Sequence, residues 1–267
     1  MIRGEAYNPA DGVRISYEVD DNNAERPVIL LIHGSGLSRA SWRGLGYVRG
    51  FREAFRVVTV DLRGHGLSDK PHFADSYSRD LFLLDLIAVL DEVGAGSAHF
   101  VGYSIGARLS LEMAVTHPER ITSASMLGGT PAGSAGQVAR LFFPDYLEAL
   151  RIGGMSAFIE GWEERAGGRV DSSTRGVFER NDPHALAAYF ERVETERGIP
   201  EEVLVHVAVP TLWMAGTEDN PRYAQSQRAA EVMGGLFVPL PGRNHGTTLF
   251  PAEPVVREIL AFTGALL

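Results

Sequence analysis

The chain has 267 residues, 45% of them hydrophobic, and a formal net charge of −9, enough for one large domain, or one domain with an insertion, to bury a core. The acidic balance, with no run of Lys or Arg, excludes a basic surface for nucleic acid, and the absence of cysteine excludes disulfides, thiolate catalysis and Cys-ligated metals. The N-terminal stretch lacks the apolar core of a signal peptide and no apolar run reaches the ~18 to 20 residues of a bilayer span, so the expectation is a cytoplasmic protein with no membrane partner.

In chain order, "VRISYEV" (Val13 to Val19) alternates polar and apolar, predicting a half-buried antiparallel strand. "PVILLIHG" from Pro27 is a continuous apolar run, which suits a strand covered on both faces. Helical spacing from Ala40 to Ala54 leads into the strand-like "FRVVTVD", and Ser78 to Val93 leads into "AHFVGY". A helical pattern from Ser104 to His117 is stopped by Pro118 and followed by "SASMLGG". Late in the chain come "PTLWMAG", a helix over Arg222 to Met233, a short strand "LFVPL", and a last helix from about Pro254 to Phe262. Strands alternating with helices predict an α/β fold with a mostly parallel sheet and right-handed crossovers.

One interval breaks that rhythm. From Pro131 to about Val207 the sequence offers only helical fragments, which predicts a core of residues 1–130 and 208–267 and a helical cap insertion over 131–207. Phe142, Phe143, Trp162, Phe178, Tyr189 and Phe190 fall in it, suited either to packing or to a pocket wall. Phe142 and Trp162 are the pocket candidates, with Gly34, Gly36 and Tyr103 from the core.

Chemistry concentrates around "GYSIG", where Gly102 and Gly106 flank Ser104 as a strand breaks off into a helix. Small residues on both sides suit a tight bend that pushes its central hydroxyl outward. A serine hydroxyl is a weak nucleophile that needs a base, and the base needs a carboxylate to fix its tautomer. In an open parallel sheet such partners should follow other strands at the same edge. Asp219 in "GTEDNP" and His245 in "GRNHG" meet that condition. Each alone would pass for a turn or loop residue, and Glu218 competes for the acid role. Together, in the order Ser, Asp, His, they form a catalytic set. An adjacent carboxylate raises the pKa of His245 and burial lowers it, so the two should offset partly. Oxyanion donors are expected at the N–H groups of Ile105, at the start of the helix, and Ser35, with Gly36 the alternative. His33 is expected to order its loop rather than act as a base. No H-E-x-x-H or comparable cluster suggests a metal, and neither G-x-G-x-x-G nor a P-loop lysine motif follows a strand, so no cofactor is expected.

At these residues the chain resembles the α/β-hydrolase superfamily. "HGSG" with the later Trp42, "DLRGHGLSDKP", "GYSIGA", "GTED" and "GRNH" come in that family's order. The resemblance implies an eight-stranded sheet whose second strand is antiparallel. It also implies triad roles for Ser104, Asp219 and His245, with Asp61, Arg63 and His65 shaping a loop. A serine at the elbow weighs against the dehalogenase and epoxide-hydrolase branches, which use a carboxylate. Gly246 after His245 weighs against the C–C hydrolases, which usually carry Trp there. The function implied is a serine hydrolase of a small-molecule carboxylic ester or lactone, through an acyl-enzyme on Ser104. The alternatives are a C–C bond hydrolase acting on a diketone-type substrate, a lyase or perhydrolase side activity, and a non-catalytic ligand-binding protein. Nothing in the sequence sets the substrate or the oligomeric state.

Overall fold

The computed structural model describes residues 2–20, 23 and 25–266. Eight strands form one sheet: β1 (Ile2–Tyr7), β2 (Arg14–Asp20), β3 (Val28–Ile32), β4 (Arg56–Val60), β5 (Ala98–Tyr103), β6 (Ile121–Leu127), β7 (Thr211–Gly216) and β8 (Leu236–Leu240). Their order is β1-β2-β4-β3-β5-β6-β7-β8. β2 is antiparallel to both β1 and β4, and every other pair is parallel. The run "VILLI" shows why the sheet lies between two layers. Leu30 and Ile32 join one apolar cluster, Ile29 and Leu31 the other, as period-two side chains on a doubly covered strand must.

Registers bring the last residues of the central strands level. Ile32 sits opposite Gly102, Tyr103 opposite Leu127, and Leu127 opposite Met214. The loops that leave those strands therefore open at one edge, where parallel α/β sheets bind their ligands.

Three local expectations change. β1 was not foreseen, because it is a polar edge strand with only Ala6 buried, so no apolar run marks it. β2 is buried along nearly its whole length rather than on one face. Its polar residue Glu18 is held by Arg3, Arg39 and Arg43, ion pairs that alternation alone does not reveal. The helical pattern over Ala40 to Ala54 divides into Ala40–Gly44 and Tyr47–Phe51. Gly46, at φ +93°, takes a left-handed conformation that glycine adopts readily.

Among the described residues no strand lies between β6 and β7. The longer helices of that interval are Gln137–Leu141, Gly154–Ala166, Ser172–Phe178 and Pro183–Val193. Asp171 and Asp182 cap the last two, each side chain accepting two backbone N–H groups, the arrangement that begins a helix most effectively.

Candidate active site

Ser104 stands between β5 and the helix Ile105–Thr116 at φ 57°, ψ −112°. It is the only non-glycine residue with positive φ among the described residues, and such a conformation costs ~1 to 3 kcal/mol. The flanking glycines make the bend possible. A Cβ on Gly102 would collide with the backbone of Gly106, and one on Gly106 with the carbonyl of Ile32. The same close approach explains Ala107, fully buried against Gly129, where an added Cβ would lie 2.7 Å from the Ala107 methyl.

Two further loops converge on the serine. β7 ends at Gly216, where a Cβ would run into the carbonyl of Arg243, so the loop carrying Asp219 and the loop carrying His245 can touch. Glu218 N–H donates to that same Arg243 carbonyl at 2.9 Å. The Arg243 guanidinium donates to the Thr248 and Pro251 carbonyls, each at 2.9 Å, and fixes the histidine loop from below. His245 Nδ1 lies 2.8 Å from Asp219 Oδ2, and His245 Nε2 lies 3.0 Å from Ser104 Oγ. Asp219 is 4% exposed, whereas its neighbour Glu218 faces solvent and makes no such contact. The carboxylate fixes the proton on Nδ1 and leaves Nε2 as the acceptor for the serine hydroxyl.

A cavity of ≈ 70 Å³ opens beside Ser104. Ser35, Ile105 and Phe142 are in its wall, together with Tyr189 and Phe190. The other pocket candidates fall elsewhere. Trp162 is not in the wall; its indole packs 5.0 Å from Phe142 and 5.1 Å from Phe178, because the aromatic residues of this segment chiefly cover one another. Tyr103 lies behind His245, its ring stacked at 5.3 Å and its hydroxyl donating to the His245 carbonyl at 2.7 Å. Gly34 abuts Tyr103 and Ser104, and Gly36 abuts Phe178, so both serve close packing rather than the wall. Among the described residues neither the Ser35 nor the Ile105 N–H donates to a protein acceptor, which leaves both free for a ligand oxygen. The Ser35 hydroxyl hydrogen-bonds the Tyr189 hydroxyl at 2.6 Å.

His33 has both ring nitrogens engaged. Nδ1 donates to the Gly34 carbonyl at 2.8 Å and Nε2 accepts from Leu62 N–H at 3.1 Å. Asp61 accepts from Arg39 and from Leu67 N–H, and Arg63 grips Asp85 through two bonds of 2.7 Å, so this loop is held by its own polar residues. Among the described residues no three His, Asp or Glu side chains gather as metal ligands, and no helix is long and apolar enough to cross a membrane.

A family model described as alpha/beta hydrolase fold matches residues 27–154. The enol-lactonase of Burkholderia xenovorans LB400 superposes with a TM-score of 0.81, covering 95% of this chain and 98% of that one at 23% identity. The chain has the α/β-hydrolase fold. Among curated relatives, epoxide hydrolase 4 of Mus musculus is 36% identical over 110 residues, 41% of this chain and 30% of the relative. The 2-hydroxy-6-oxononadienedioate/2-hydroxy-6-oxononatrienedioate hydrolase of Burkholderia vietnamiensis (strain G4 / LMG 22486) is 34% identical over 125 residues, 46% of this chain and 43% of the relative. The chain thus spans less than half the length of either relative.

The pKa of His245 is lowered. Burial is the largest cause, the hydrogen bond that His245 donates to Asp219 opposes it, and the charge of Arg222 adds to it. The two expected influences therefore do not balance, and burial prevails. Burial also takes His33 down to about 4 and His65 to about 3. Sequence reasoning did not find Gly128, Gln137 or Arg222, and it left Tyr189 undistinguished among six aromatic residues; all four are part of this site. Gly128, at φ +59°, follows β6 at a point where a Cβ would approach the His245 ring to 3.3 Å. Arg222 begins the helix after Asp219 and meets its Oδ1 at 3.4 Å. Its position three residues past the acid was the one available signal.

Proposed function

We propose that the protein is a serine hydrolase of carboxylic esters or lactones, working through an acyl-enzyme on Ser104 with His245 as base and Asp219 as its orienting carboxylate. The observation that carries this reading is the continuous hydrogen-bond chain from Ser104 Oγ through His245 to Asp219, 3.0 and 2.8 Å. Ser104 Oγ gives its proton to His245 Nε2 as it attacks the substrate carbonyl carbon. The carbonyl oxygen takes up the negative charge and receives hydrogen bonds from the Ser35 and Ile105 amides, a contribution of ~3 to 4 kcal/mol per donor in comparable sites. Collapse of the tetrahedral species expels the alcohol oxygen, which takes the proton from Nε2. Water then enters, loses a proton to the same nitrogen, and attacks the acyl carbonyl. The acid leaves as Ser104 regains its proton.

Residues 131–207 act as the cap that closes the cavity over this centre, and residues 1–130 and 208–267 as the catalytic core. Phe142 and Phe190 in the wall support that division. The substrate is a small molecule; the likeness to an enol-lactonase supports the lactone class. The similarity to the oxononadienedioate hydrolase supports a second reading, hydrolysis of a carbon–carbon bond in a diketone by the same three residues.

The test is labelling by a fluorophosphonate probe alongside release of 4-nitrophenol from 4-nitrophenyl acetate. Both should occur in the wild type and vanish in Ser104→Ala. Labelling that persists in Ser104→Ala, or a wild type that neither labels nor turns over, overturns the proposal.

A further inference from the structure

The net charge of the chain is −9, yet no Asp or Glu contributes to the cavity wall, whereas Arg108 and Arg222 both do. The two arginines are not equivalent. Arg108 is saturated: its Nε donates to Glu112, its Nη1 to the carbonyls of Thr130, Pro131 and Ala132, and its Nη2 to the carbonyl of Arg197. It ties the start and end of the helical segment to the core and has nothing left for a ligand.

Arg222 makes only two described contacts, and both are long. Nη1 meets Asp219 Oδ1 at 3.4 Å and Nη2 meets Gln137 Oε1 at 3.2 Å. A guanidinium carries five N–H donors in a planar fork, so most of its capacity is unspent. Its side chain is only 16% exposed, so water cannot satisfy it freely. Glu194 lies outside the wall and accepts from the N–H groups of Gly136 and Val138. A half-buried cation with spare donors, in a wall without carboxylates, suits a bidentate partner of opposite charge.

We propose that Arg222 binds a free carboxylate carried by the substrate, so that the protein selects monoanionic esters or lactones over neutral ones. The proposal deepens the serine-hydrolase reading and rests on it for the word substrate, though not for the anion site itself. Gln137, 3.2 Å from Nη2, steadies the fork from the helical segment. Thr130 and Ser134, also in the wall, add hydroxyl groups to it, and Val138, Leu141, Phe142 and Phe190 supply apolar lining.

The experiment compares mono-4-nitrophenyl glutarate with 4-nitrophenyl butyrate, close in length and differing in the carboxylate. In the wild type kcat/KM should favour the glutarate at least tenfold at pH 7.5. Arg222→Gln should lower that ratio at least tenfold and Arg222→Lys should keep part of it. Because Arg222 touches Asp219, both substrates can slow together; the ratio removes that shared effect. A ratio near one in the wild type, or one unchanged in Arg222→Gln, overturns the anion site and leaves the serine hydrolase standing. Calorimetry on Ser104→Ala with monomethyl and dimethyl glutarate reads the site without turnover. The monoanion should bind at least tenfold more tightly, and adding Arg222→Gln to that variant should abolish the difference. Equal affinity, or no binding of either, overturns the proposal. Loss of fluorophosphonate labelling and turnover with monoanion selectivity intact instead condemns only the serine chemistry.

Discussion

At the carboxyl edge of the sheet, Gly102, Gly106 and Gly216 stand where a Cβ would strike neighbouring backbone. In the helical segment between β6 and β7, Phe142, Phe158, Phe178 and Phe190 meet one another, with ring centroids 5.0 to 6.3 Å apart. In the first region the backbone path dictates residue identity, since only glycine fits. In the second, volume and apolarity are what matter, and several arrangements of the same aromatic residues satisfy them. The first region accordingly holds fixed geometry around Ser104, Asp219 and His245, and the second holds shape.

The largest expected effect breaks the first region chemically and leaves its structure alone. Ser104 supports no core packing, its side chain meeting the cavity and His245. Ser104→Ala should lower kcat for ester hydrolysis by ~10⁶, the scale for removal of a serine nucleophile, with an unchanged thermal midpoint. Retention of a tenth of wild-type turnover would end the assignment. Next comes the carboxylate. Asp219→Asn should cost ~10⁴ in kcat, because an amide can present its NH2 to Nδ1 and stabilise the wrong tautomer. Glu218→Gln should change kcat less than threefold, since Glu218 faces solvent. A large loss at Glu218 would reverse the pair.

The helical segment should answer differently. Phe158 is fully buried among Phe142, Phe143, Phe178 and Phe190 and takes no part in the cavity wall. Phe158→Ala should lower unfolding free energy by ~3 to 5 kcal/mol in urea titrations. In the folded fraction kcat should stay within tenfold of the wild type. A loss in kcat rivalling Asp219→Asn, at full stability, would show that the two regions are not separable in this way.

The same contrast governs what could be read from sequence. Ser104, Asp219 and His245 were legible because glycine spacing marks sharp bends and strand ends mark the binding edge. Seven of the eight strands were legible, β2 from its alternation and the others from their short apolar runs; β1, with one buried residue, carries neither mark. Trp162 was misplaced because a tryptophan in a helix reads the same whether it faces a cavity or Phe178. Arg222 was missed because the fact that matters is relational: its few, long contacts and the absence of carboxylates from the cavity wall it joins arise only when residues 137 and 222 meet. Tyr189 was likewise one aromatic among six until the structure set its hydroxyl 2.6 Å from Ser35.

The smallest expected effect concerns pH and sharpens the first region. His245 must be neutral to accept the serine proton, so kcat/KM follows its ionisation in the free enzyme. Burial and the Arg222 charge outweigh the Asp219 hydrogen bond, so the histidine loses its proton at lower pH than an ordinary imidazole near ~6.5. The profile should be level above pH 7 and fall with a midpoint below ~6.5. Arg222→Gln removes a neighbouring positive charge and should move that midpoint up. His33 and His65, at about 4 and about 3, bear on stability in the same acid range. Each is neutral when folded, while the unfolded chain takes up protons from ~6.5 downward, so stability falls with pH by ~1.4 kcal/mol per unit for each. Loss of activity through unfolding is separated by measuring rates at once after a pH jump, before unfolding proceeds. A midpoint above 7, or one that moves down in Arg222→Gln, would mean that the ionisation in the profile is not that of His245 in the environment described.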